Sequence, residues 1–227
     1  MIFRRRRKAG PDEVPESGSV EELAEAPVAR SEGPWDRSET DADTDEKTYV
    51  DLGGLVVRGA PSLELRLQVD ESSGAVAAVL LAGVDSGLEL RAFAAPRTSG
   101  IWDEVRHDIA AEAARRGGTA AELESDFGLE LKVVVPAKTP DGRQATQTSR
   151  IVGVDGPRWM LRGTFLGKSA EEVGADEVLE QAFRDVIVVR GDAPMAPRAM
   201  LAMRMPDSTR SAWDESIPSP GPSASAQ

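Results

Sequence analysis

From residue 63 the chain alternates. Leu63, Leu65, Leu67 and Val69 fall on one side, and Glu64, Arg66, Gln68 and Asp70 on the other, the period-two pattern of a strand with one buried face. Ser72-Ser73-Gly74 supplies a turn. Residues 75–82 are apolar at every position, as in a strand buried on both faces. After Asp85-Ser86-Gly87, Leu88, Leu90, Ala92 and Ala94 alternate with Glu89, Arg91 and Phe93, which completes a three-strand meander. The period then changes. Trp102, Val105, Ile109 and Ala113 repeat at helical spacing, with Ser99 as candidate N-cap, Asp103 and Glu104 in the first turn, Arg115 and Arg116 in the last, and Gly117-Gly118 as the stop. Thr119-Ala120-Ala121-Glu122 reads as a capping box opening a further short turn of helix.

The second half echoes this order. Leu129, Leu131, Val133 and Val135 alternate with Glu130 and Lys132, Thr139 to Arg143 is a polar loop, and residues 150–154 form a strand. Asp155-Gly156 is a hairpin turn, and Trp159, Leu161, Gly163 and Phe165 line one face of the return strand. Asp176 opens a second helix carrying Val178, Leu179, Ala182, Phe183 and Val186. The expected fold is α+β: a mainly antiparallel sheet of about six strands in two strand-strand-strand-helix units, with both main helices on one face. Glu64 with Arg66, Glu89 with Arg91 and Glu130 with Lys132 then stitch the solvated face, each pair worth roughly 0.2–1 kcal/mol.

Composition sets the limits of that domain. Residues 9–46 hold thirteen acidic groups against Arg30 and Arg37, with too little apolar surface to offset ordering entropy. Residues 1–47 therefore read as a disordered basic head and acidic tether, 48–206 as one domain, and 207–227, rich in Pro and Ser, as a second disordered tail. No apolar run approaches the roughly 18 residues that span a bilayer, and no apolar stretch follows the N-terminal arginines as in an export signal. Cysteine is absent, which removes disulfides, thiolate metal sites and a cysteine nucleophile. A cytoplasmic location is expected. The net charge of −12 argues against bulk nucleic-acid binding.

Candidate chemistry is sparse. His107, the one histidine, lies nearly opposite the apolar stripe of its helix and should face solvent. A zinc site is not expected, nor is any other metal or cofactor. Asp41, Asp43 and Asp45 lack the glycine and closing glutamate of a calcium loop. Phosphate-binding glycine motifs and nucleophile elbows are missing, and Arg190-Gly191-Asp192 is a chance tripeptide. Three features remain. Arg158 and Arg162, with Arg91 and Arg150, are either the polar face of a sheet whose core includes Trp159, or a surface for an acidic partner. Met195, Met200, Met203 and Met205 either wrap back over the domain or form a partner-docking strap. The head, Arg4, Arg5, Arg6, Arg7 and Lys8, is solvated by default but is suited to anionic lipid or nucleic acid.

Three stretches carry a resemblance: LRAFAAPRTSGIWDEVRHDIAAEAARRGG, VDGPRWMLRGTFLG and FRDVIVVRGDAPMAPRAMLAMRMP. Together they resemble an uncharacterised actinobacterial family known only as a domain of unknown function, over about residues 47–206. The resemblance implies no catalytic residues. Genes of that family often lie near those for a dUTPase and a small OB-fold protein, which implies only a loose link to nucleic-acid metabolism. The order of elements is also similar to the PsbP-like sandwich, a likeness of fold that carries no function.

The expected function is a non-enzymatic accessory or protein-binding domain, with another protein as partner and no small-molecule ligand. The rivals are a peripheral nucleic-acid or membrane-surface protein using the basic head, and an enzyme using carboxylates and arginines alone. A cleft where carboxylates converge with an arginine would favour the last.

Overall fold

The computed structural model describes residues 32–206 apart from 43, 45–47, 71, 73, 98 and 99. The basic head, most of the acidic tether, Ser99 and the tail from residue 207 lie outside the described residues.

Alternation along the chain builds a seven-stranded antiparallel sheet. Its members are β4 (Glu64–Val69), β5 (Val76–Ala82), β6 (Ser86–Ala94), β7 (Thr119–Ser125), β8 (Gly128–Lys138), β9 (Gln144–Gly156) and β10 (Trp159–Gly167), in the order β4-β5-β6-β10-β9-β8-β7. A smaller sheet contains β1 (Trp35–Asp36), β2 (Tyr49–Asp51), β3 (Leu55–Arg58) and β11 (Ile187–Val188), ordered β1-β11-β3-β2. Three helices complete the described part: α1 (Trp102–Arg115), the single turn α2 (Lys168–Glu171) and α3 (Glu177–Arg184).

The α+β, mainly antiparallel class holds, with more strands than the alternation revealed. The helices, however, are split between the faces. Side chains on neighbouring strand positions point to opposite sides, so β10 sends Trp159, Leu161 and Phe165 one way and Met160 and Arg162 the other. The first set, with Leu81, Leu88, Leu90 and Val152, packs against α3 and the small sheet through Phe183, Leu179, Leu55 and Val57. Met160, Phe93 and Ile151 pack instead under Trp102, Val105 and Ile109 of α1. Both faces have close-approach glycines: a Cβ on Gly163 would sit 2.7 Å from the Phe183 ring, and one on Gly153 only 2.1 Å from the Trp102 ring.

Two local readings give way to tertiary structure. Residues 119–122, read as a capping box, belong to β7, paired with β8 from Thr119↔Val134 to Ser125↔Gly128. That pairing covers the β8 edge, and Glu122 accepts from Arg106 of α1 at 2.9 Å. The turn read at Asp155-Gly156 falls instead at Pro157-Arg158, because Gly156 already pairs with Trp159 and Arg158 takes the left-handed conformation (φ 63°).

The ordered domain also begins before residue 48. Trp35 and Asp36 pair in parallel with Ile187 and Val188, and Asp36 accepts a 2.6 Å hydrogen bond from the Trp159 indole. At the other end, residues 198–204 fill the gap where β5 and β6 diverge. Pairing of β5 with β6 stops at Val79↔Leu90. Beyond it, Arg198 and Leu201 donate to Ala94 and Ala92 at 2.8 and 2.9 Å, and Arg204 donates to Leu52 at 2.8 Å.

Candidate functional site

The α1 side of the large sheet is only partly covered. Towards β4 it is an open polar face, where Arg66 pairs with Glu64 and Arg91 with Glu89, as the alternation predicts. Towards β8, α1 stands over a recess of about 530 Å³, within the range of small-molecule sites. Its floor is Val133, Val135, Ile151 and Met160, with Ser149, Gln147 and Arg162 beside them, and its helix wall is Val105 and Ile109. Charged side chains of α1, its cap and the segment 198–204, namely Asp108, Glu112, Arg115, Arg116 and Arg198, also line it.

The backbone explains the gap. The start of α1 is held tightly down. The Asp155 carboxylate accepts from the backbone N–H of Ile101 at 2.8 Å and of Trp102 at 3.1 Å, satisfying donors that a helix start leaves open. This cap comes from the end of β9, so no local signal betrays it. Trp102 lies on Gly153 and donates to the Leu129 carbonyl at 2.7 Å. Further along, Ala113 packs over Leu131 and Val133, and the space between opens towards β10.

Arg162 stands at that opening. Its strand partner is Arg91, and its guanidinium lies over the Phe93 ring at 5.3 Å. Its buried Nε has no hydrogen-bond partner. Burial, then the neighbouring Arg91 charge, lower its pKa, against a smaller opposing effect of Glu89. Among the described residues, the other arginines lining the recess are better served: Arg198 pairs with Glu104 and Asp108, Arg115 pairs with Glu112, and Arg116 is exposed to water.

The four arginines read as one surface are dispersed. Arg91 and Arg162 are adjacent. Arg158 sits in the β9–β10 turn, donating to the Gly191 carbonyl at 2.6 Å. Arg150 is on the opposite face, 1% exposed, and is unavailable to any partner. Its Nη1 donates to Glu130 at 3.1 Å, its Nη2 to Glu180 and its Nε to the Ser169 carbonyl at 3.0 Å, with the Phe165 ring 4.1 Å away. Glu130 is therefore a buried residue of this network rather than a partner of Lys132 on a solvated face. Burial raises its pKa, against the lowering effect of the Arg150 charge. Carboxylates and an arginine do converge here, but Arg150 and Glu130 are sealed in and their hydrogen bonds stay inside the protein.

The methionines divide as well. Met203 is buried, Met195 and Met205 pack against the core, and Met200, bridged to Phe93, is 39% exposed beside the recess. His107 is exposed, its Nδ1 2.6 Å from the Asp103 carbonyl oxygen. Arg4 to Lys8 lie outside the described residues. Among the described residues, no group of three or more His, Asp and Glu side chains is placed to hold a metal, and no helix is long and apolar enough to cross a membrane.

A helix over one face of an antiparallel sheet, a second sheet and helix over the other, and an arginine at the mouth of an apolar recess define a layered α+β domain with one half-open side. The chain belongs to the family described as protein of unknown function (DUF3710), whose model matches residues 33–212. The match begins where Trp35 and Asp36 join the small sheet. No curated protein matches the chain.

Proposed function

We propose that this chain is a non-enzymatic binding domain and that its site is the recess beneath α1. The observation that carries the reading is the buried, unpartnered Nε of Arg162. A buried donor left unmade costs about 1–3 kcal/mol, and such groups in folded proteins call for an explanation. An acceptor brought by a binding partner supplies one. An apolar floor beneath a rim of polar and charged groups combines the burial and the orienting contacts that recognition uses.

The rival catalytic reading draws less support. The convergent carboxylates, Glu130 and Glu180, are both held by Arg150, and Glu130 is sealed from solvent, whereas general acid–base work needs a free group within reach of substrate. The site asks for an occupant that presents an acceptor on an apolar body.

Photo-crosslinking tests the reading. A benzophenone amino acid replaces Val105 in the recess or, as control, Val178 on α3, in the full chain expressed in its native host. The reading predicts a defined adduct from position 105, absent from position 178 and lost on Arg162→Ala, seen as a discrete increase in intact mass. Adducts indifferent to Arg162, or none from position 105, would refute it.

A further inference from the structure

We infer that the recess takes a single-chain aliphatic carboxylate, its head on Arg162 and its tail running beneath α1. This rests on the reading of the recess as a binding site, and deepens it by naming the ligand.

Three observations converge. The first is shape. The lining residues of α1 and its cap run from 105 to 116, about 16 Å of helix axis at 1.5 Å per residue, so the recess of about 530 Å³ extends along the helix far enough for an alkyl chain. The second is lining. Val133, Val135, Ile151, Val105 and Ile109 are aliphatic, and the one aromatic, Phe93, faces the Arg162 guanidinium. Branched aliphatic walls suit a flexible alkyl chain better than a planar ring, which gains from aromatic stacking. The third is charge. A guanidinium is a planar fork matched to carboxylate oxygens, and Arg162 is half-buried with its inner Nε unbonded. The carboxylates at the rim do not oppose an incoming anion strongly, because Asp108 is neutralised by Arg198 and Glu112 by Arg115.

The order of affinities follows. Dodecanoate gains from both chain and head; butyrate lacks the chain; dodecyltrimethylammonium has the chain with the wrong charge. Isothermal titration of the full chain, with each compound below its micelle-forming concentration, should show saturable one-to-one binding of dodecanoate and at least about tenfold weaker binding of the other two, one hydrogen-bonded charge accounting for about tenfold or more. Arg162→Met, of similar length, should weaken dodecanoate about tenfold to hundredfold, and Ser149→Trp should block it by filling the floor. Equal affinity for the carboxylate and the ammonium compound overturns the proposal on the wild-type protein alone, whatever the variants do, and so does unchanged affinity in Arg162→Met. Absence of dodecanoate binding with the Arg162-dependent adduct still formed sinks the ligand class and leaves the site standing; absence of both sinks site and ligand together.

Discussion

Glu130 shows how little a single residue's sequence context says about its surroundings. It sits between Leu129 and Leu131 in an alternating strand, where a polar residue normally faces water, yet it is fully buried against Arg150. The strand pattern gave the alternation correctly but not which layer covers the polar side; that depends on Glu180 and Ser169, far along the chain. Its raised pKa fixes the sign of a pH effect. Between the ordinary glutamate value of about 4.3 and the higher folded value, the folded chain holds a proton that the unfolded chain has lost. Stability from this site is thus greatest at low pH and falls as pH rises through the folded pKa. Glu130→Gln keeps an acceptor for Arg150 and cannot ionise. In urea titrations at a series of pH values from 4 upward, wild type should lose ground steadily to Glu130→Gln and then level off; a constant difference would show that the carboxyl titrates normally.

At the level of elements, the period of the hydrophobic pattern identifies β4, β6, α1 and α3, each with one apolar face and a recognisable stop, while β5 stands out as a continuous apolar run between turns. The pattern fails at β7, where a local capping pattern was outweighed by pairing along β8, and at the small sheet, whose strands of two to four residues are too short to display a period. The start of α1 also holds a contact that no neighbouring residue signals: its backbone donors reach Asp155, more than fifty residues later. Removing a side-chain cap costs about 0.5–2 kcal/mol. Asp155→Ala should lower stability by that order and speed amide exchange first at the start of α1, leaving α3, capped by its own Asp176, unaffected. Equal acceleration in both helices would mean that Asp155 supports the whole domain rather than this helix.

For the whole molecule, two connections close the fold: the strap after β11, which wraps back as one reading of its methionines has it and takes up the pairing β5 gives up, and the segment at 32–36, which reaches the Trp159 indole and shows no local pattern. The latter has the acidic composition of a tether, yet one part-buried hydrogen bond and two paired residues fix it to the domain. Asp36→Ala withdraws this acceptor from Trp159 and should cost about 1–3 kcal/mol by urea denaturation, whereas a true tether residue would cost nothing measurable. The recess was illegible for a related reason. Alternation placed Arg91 and Arg162 on one polar face, but only the position of α1 shows that Arg162 stands at an apolar opening.

On the proposed function, Arg162 is kept at the expense of stability because it serves binding. Urea denaturation of ligand-free wild type and Arg162→Met, at one pH and salt concentration, puts this to the most direct test. Replacing a half-buried cation whose inner Nε has no acceptor by an apolar side chain of similar length is predicted to leave the midpoint unchanged or raise it, the lost cation–π contact of about 0.5–1 kcal/mol being offset by the desolvation that methionine avoids. A variant less stable than wild type by about 2 kcal/mol or more, the scale of a well-satisfied buried polar group, would contradict it and make Arg162 a structural residue.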